Sequence, residues 1–91
     1  MKIIYRYILP RLDDQVKLQM KVGAEILSIR AYIDGISIWC LVDPEEDSET
    51  RMFRIIGTGH PIDNIENLSY INTVLMGDFV WHIFEVVRTK E

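Results

Sequence analysis

Glu25-Ile26-Leu27-Ser28-Ile29-Arg30-Ala31-Tyr32-Ile33-Asp34-Gly35-Ile36-Ser37-Ile38-Trp39-Cys40-Leu41-Val42-Asp43 is the stretch on which the fold turns. A helix can be drawn over Ala24 to Ile29. Against it stands Asp34-Gly35 between two apolar runs, the strongest short hairpin signal, because a tight two-residue turn needs positive φ that few residue pairs accept. The hairpin makes Glu25 to Ile33 a strand, with Leu27, Ile29, Ala31 and Ile33 on one face and Ser28 and Arg30 on the other. Ile36 to Asp43 is its partner. That partner is apolar on both faces (Ile36, Ile38, Cys40 and Val42; Trp39 and Leu41), which predicts a central position in its sheet.

Toward the N-terminus the same period of two continues. Gln15 to Lys21 places Val16, Leu18 and Met20 inward and Gln15, Lys17, Gln19 and Lys21 in water, an antiparallel strand with one wet face. Gly23 turns the chain after it. Lys2 to Leu9 alternates Ile3, Tyr5, Tyr7 and Leu9 against Lys2, Ile4, Arg6 and Ile8, and ends at Pro10. Arg11 to Asp14 makes a polar turn.

Toward the C-terminus, Pro44-Glu45-Glu46-Asp47-Ser48-Glu49 reads as a solvated acidic hairpin tip. It lacks the twelve-residue alternation of oxygen ligands and the central glycine of a calcium loop. Arg51 to Ile56 returns as a strand. Asp63 to Asn67 is irregular or a single turn. Leu68 to Met76 and Phe79 to Val87 are strands joined by the tight-turn pair Gly77-Asp78. The sum is one all-β domain over residues 1–91, with room for one short helix. Its expected form is a small antiparallel β-sandwich or partly open barrel of about seven strands.

Composition narrows the function. The chain has 91 residues, a net charge of −4 and ten basic residues scattered from Lys2 to Lys90. No basic stripe marks a duplex-binding surface. A small anionic ligand stays compatible, since a local pocket can be positive on an acidic protein. Cys40, the one cysteine, leaves no disulfide framework. Its apolar neighbours predict a buried thiol with a raised pKa. Lys2 and Arg6 interrupt the apolar N-terminal run, so no signal peptide is expected, and no segment reaches the roughly 20 apolar residues of a membrane span. A soluble protein of a reducing cytoplasm is the expectation.

Between the strands, Gly57-Thr58-Gly59-His60-Pro61-Ile62 cannot continue a ladder, because glycine accepts positive φ and Pro61 has no N–H. Such a turn can aim successive amides into one concavity that holds a phosphate or carboxylate. The candidate ligand-binding set is therefore Gly57, Thr58, Gly59 and His60. Arg54 adds charge three residues earlier, ahead of Arg30 and Arg51 for fork-like contacts, and Trp39 or Tyr70 could stack on a base. The turn is too short for a Walker loop and is followed by no helix. His60 and His82 are the only histidines. His82 and Glu85 fall on opposite strand faces, so no metal site is assigned. His82 is expected to be hydrogen-bonded within the fold. No serine carries an elbow motif, and no catalytic residue or cofactor is expected.

Leu41-Val42-Asp43-Pro44, Arg51-Met52-Phe53-Arg54-Ile55, Gly57-Thr58-Gly59-His60-Pro61-Ile62 and Trp81-His82-Ile83-Phe84-Glu85 resemble a domain of unassigned function found in short proteins of tailed bacteriophages. The resemblance runs from the Lys2 strand to Glu85. It implies a phage accessory protein in the host cytoplasm, where a compact homo-oligomer could counter host defence by sequestering a nucleotide second messenger. Two alternatives stand beside this non-enzymatic reading: a module that blocks a host or phage protein, and a small hydrolase acting on a nucleotide.

Overall fold

In the computed structural model, which describes residues 1–87, the 25–43 stretch is a hairpin: β3 (Glu25–Tyr32) pairs antiparallel with β4 (Gly35–Val42). Tyr32 opposes Gly35, so the loop is Ile33-Asp34, one residue earlier than the sequence suggests, and Gly35 takes φ 133° beyond it. The helix drawn over Ala24 to Ile29 does not form. A bulge lies between Ile26 and Ser28. Ile26 consequently packs on the core while Leu27 is left exposed, because one extra residue reverses the side-chain alternation beyond it.

β1 (Ile3–Ile8) pairs with the other edge of β4, giving a three-stranded sheet in the order β1-β4-β3 with β4 central. The second sheet is built from β2 (Val16–Lys21), β5 (Ser48–Gly57), β6 (Leu68–Met76) and β7 (Phe79–Val86), in the order β2-β5-β7-β6. All neighbours are antiparallel, and no barrel closes. The described residues are all-β, seven strands in two layers, a small sandwich, and Ile65–Asn67 forms one 3₁₀ turn within the expected irregular segment.

The inner faces meet in one cluster. Val16 and Met20 of β2, Ile29 of β3, Ile36, Ile38, Cys40 and Val42 of β4, Phe53 and Ile55 of β5, Val74 of β6 and Ile83 of β7 are all buried in it. The Tyr7 hydroxyl accepts the Lys21 N–H at 3.1 Å and so ties β1 to β2 across the layers. Between the layers Arg51 clasps Glu85 with a fork of two bonds, Nε to Oε2 at 2.6 Å and Nη2 to Oε1 at 2.8 Å, while Nη1 donates to the Ala24 carbonyl at 2.7 Å. Burial pushes the Cys40 thiol up to about 11, the Arg51 charge opposing it.

The acidic 44–49 stretch is not a hairpin tip. It carries the chain from β4 in one sheet to β5 in the other, and β5 already begins at Ser48. Bonds from Val22 N to Asp47 O (2.8 Å) and from Lys21 Nζ to Glu46 O (2.9 Å) pin it to the end of β2.

The link from β5 to β6 skips the position of β7, so it must cross the sheet. Arg54, Ile56 and Phe84 are buried although they lie outside the inner cluster, on the opposite face of β5 and β7. The 58–67 segment returns over that outer face: Arg54 Nη1 donates to the Asp63 carbonyl at 2.8 Å, and Val87 N donates to Asn67 O at 2.9 Å. None of the described helices is long and apolar enough to cross a membrane.

Candidate functional site

β5 ends at Gly57, and the chain turns through exposed Thr58, Gly59 and His60. Gly59 sits at φ 88°, where only glycine is unstrained. The amides, however, do not form an open nest. Thr58 N donates to Val80 O on β7 at 3.4 Å, and His60 N closes back on Gly57 O at 3.1 Å. The expected row of amides aimed at an anion is thus half spent on holding the turn.

Gly57 is required for a different reason. Its backbone is outside the positive-φ region. A Cβ there would stand 3.1 Å from His60 Cε1, 3.2 Å from His60 Nδ1 and 3.3 Å from Trp81 Cζ3. The missing side chain lets the His60 ring fold back against the end of β5, beside the indole of Trp81. Gly57 and His60 are brought together by packing.

Opposite this turn is the Gly77-Asp78 turn between β6 and β7, formed where the sequence expects it, with Gly77 at φ 60°. The two turns bound a cleft of about 330 Å³ lined by Gly57, Thr58, His60, Asp78, Phe79, Val80 and Trp81. Phe79 and Trp81 are two apart on β7 and stack, centroids 6.2 Å apart and planes 28° from parallel. Trp81 packs against the core, while Phe79 is 66% exposed and offers a free ring face. Their spacing of two beside a tight turn was the available signal.

Thr58 also belongs to a polar row across the outer face. Its Oγ1 lies 2.7 Å from His82 Nε2, and His82 Nδ1 lies 3.0 Å from Thr73 Oγ1, which is hydrogen-bonded to the Tyr70 hydroxyl. β7 and β6 supply His82, Thr73 and Tyr70, and Thr58 follows directly on the end of β5, because Ile56 and Thr73 flank His82 in the ladder. Each hydroxyl both donates and accepts, so protons in the row have two consistent orders. In one of them His82 accepts from Thr58 and donates to Thr73, the arrangement of a base beside a hydroxyl. His82 is held at both ring nitrogens, as a hydrogen-bonded residue of the fold.

The remaining expected site residues lie apart from the cleft. Arg54 is buried, with Nε and Nη2 on Asp14 Oδ1 and Oδ2 at 2.9 and 3.1 Å and Nη2 2.9 Å from Asp63 Oδ1. Two carboxylates and a carbonyl already occupy it, so it is not a free cation for phosphate. Trp39 is on the other sheet, edge-on to Tyr32 at 5.9 Å. Tyr70 is edge-on to Phe84 at 5.5 Å and reaches the turn only through the Thr73–His82 row. Among the described residues no three His, Cys, Asp or Glu side chains converge as a metal site.

A family model described as "Domain of unknown function (DUF7352)" matches residues 1–91. No curated protein and no solved structure matches the chain.

Proposed function

The chain belongs to the DUF7352 family of domains of unknown function, and we propose that it is a non-enzymatic binder of a small anionic ligand of the nucleotide class, held in the cleft between the two turns. One observation carries this reading: the exposed Phe79 ring, backed by Trp81, forms a wall of a cleft whose other side presents Thr58 and His60. A free aromatic face stacks on a base with about 1–3 kcal/mol.

Asp78 sets the direction of the ligand. Its carboxylate repels phosphate from the hairpin end, so phosphate faces Thr58 and His60, and the base or ribose hydroxyl donates to Asp78. A base with adjacent N–H donors, as in guanine, suits a carboxylate acceptor best. In the phage setting that the sequence resemblance implies, the protein would act in the host cytoplasm as a sponge, withdrawing a cyclic nucleotide second messenger without altering it.

The test is thermal shift with guanine and adenine mono- and cyclic dinucleotides at 1 mM. A ligand at a hundred times its Kd stabilises by about 2.7 kcal/mol, a rise of roughly 10–20 °C for a domain this size. Phe79→Ala should cut the rise by at least a third, and the nucleotide should be recovered unchanged. A panel that leaves the melting temperature where it was, or nucleotide turnover, overturns the reading. The alternative of a protein-blocking module draws on one observation, the exposed Ile4, Leu27 and Tyr32 on the outer face of the three-stranded sheet.

A further inference from the structure

Among the described residues β1 pairs with β4 on one side and with no strand on the other. Which of its backbone groups face that free edge follows from one bond: Leu9 N donates to Ile36 O at 2.9 Å, so Leu9 turns toward β4. Orientation alternates along an antiparallel strand. Tyr7 and Tyr5 therefore also address β4, and Ile4, Arg6 and Ile8 hold their N–H and C=O outward. Between Ile3 and Ile8 the strand has neither Pro nor Lys, and its one charged side chain, Arg6, lies beside the Asp34 carboxylate. Ile4 is 60% and Ile8 42% exposed. The segment Ile4-Tyr5-Arg6-Tyr7-Ile8 reads the same in both directions.

We propose that β1 pairs with β1 of a second copy across a two-fold axis at Arg6, fusing two three-stranded sheets into one of six strands. A two-fold interface demands a self-complementary surface, and a palindromic edge strand is one. In this register Arg6 exchanges two main-chain bonds with its counterpart, and Ile4 exchanges two with Ile8 at each end. Every outward group of the three residues is used. Isoleucine meets isoleucine on the outer face and tyrosine meets tyrosine on the inner face, as cross-strand pairs.

Other allowed registers are worse. Centring on Tyr7 sets Ile4 against Pro10, which has no N–H. Centring on Tyr5 sets Ile8 against Lys2. The cost of the chosen register is two opposed arginines, and each has its own Asp34 carboxylate 3.8 Å away. The quartet is neutral.

One strand pair buries less than the roughly 1,600 Å² of a standard interface. The dimer should therefore dissociate on dilution, with a Kd on the order of micromolar. Light scattering coupled to size exclusion, from about 500 µM down to about 1 µM, should show mass falling from two chains to one. Arg6→Pro removes an outward N–H and no bond to β4, so it should keep the fold and weaken association at least tenfold. Arg6→Cys should cross-link under mild oxidation, because bonded antiparallel partners stand about 5.5 Å apart at Cα, within disulfide range. Ile4→Cys should not, its two copies being about 13 Å apart along the strands. A single-chain mass at 500 µM overturns the proposal. So does an undiminished dimer in a folded Arg6→Pro protein, or cross-linking as efficient through Ile4→Cys as through Arg6→Cys.

Discussion

Adding one methyl group at residue 57 should cost about 1 kcal/mol, and His60 should be the reason. The new Cβ would lie 3.1 and 3.2 Å from two ring atoms of His60 and 3.3 Å from Trp81, against about 3.5–4.0 Å for an unstrained contact. Overpacking of this kind costs about 1–3 kcal/mol. Because Gly57 does not need positive φ, alanine also gains about 0.4–1 kcal/mol by restricting the unfolded chain. The net loss is about 1 kcal/mol, a fall of roughly 4–8 °C in melting temperature for a domain of this length. Trp81 is packed on the core, so room is made by driving the exposed His60 ring out of its packed position beside residue 57, and the loss of that packing is the cost. In a His60→Ala background two of the three close contacts vanish, and Gly57→Ala should become neutral or slightly stabilising. Urea denaturation of the four proteins in the cycle measures the coupling, expected near 1 kcal/mol. Equal costs of Gly57→Ala in both backgrounds would refute His60 as the cause and leave Trp81 as the obstructing side chain.

Three other outcomes follow from the ion pairs and the thiol. Asp14→Asn or Asp63→Asn alone should be mild, since these carboxylates are 63% and 77% exposed, but together they strand the buried Arg54. The double variant should lose about 3 kcal/mol, more than the sum of its parts, in chemical denaturation. Glu85→Ala leaves Arg51 half-buried without its fork and should lower stability by about 3 kcal/mol. Cys40 ionises more readily unfolded than folded, its folded pKa being about 11. Its contribution is therefore complete below about pH 9 and is lost as pH rises through 11, up to about 2–3 kcal/mol. Comparing the alkaline slope of unfolding free energy between the parent and Cys40→Ala checks this, and the slopes should differ only above pH 9.

The strands were legible because period-two patterning and turn residues act locally. Val16 and Met20 fall inward as their alternation requires, and Gly77-Asp78 makes its turn. Leu27 escaped because a bulge adds a residue without changing composition. The 44–49 loop escaped because acidic residues look alike whether they cap a hairpin or carry the chain between layers. At the site, the position of the turn could be read, but the fate of its amides depended on Val80, a strand away. Arg54 resembled a free cation because Asp14 lies 40 residues distant in sequence. Hydrophobicity alone cannot tell Trp81, the last ring packed on the core, from Phe79, the first one beyond it.

The strap from Thr58 to Asn67 is fastened differently from the sheets it crosses. Strands are held by ladders and a greasy interior, but this cover is latched at Arg54 by the Asp63 carbonyl and by the Asp63 carboxylate, which stands in the solvent. Mobile ions reach such a latch long before they trouble the interior. Raising the salt should therefore quicken amide exchange in the strap while the seven strands stay protected. The Ile56 and Phe84 side chains would then meet water for the first time, a hydrophobic patch bared without unfolding.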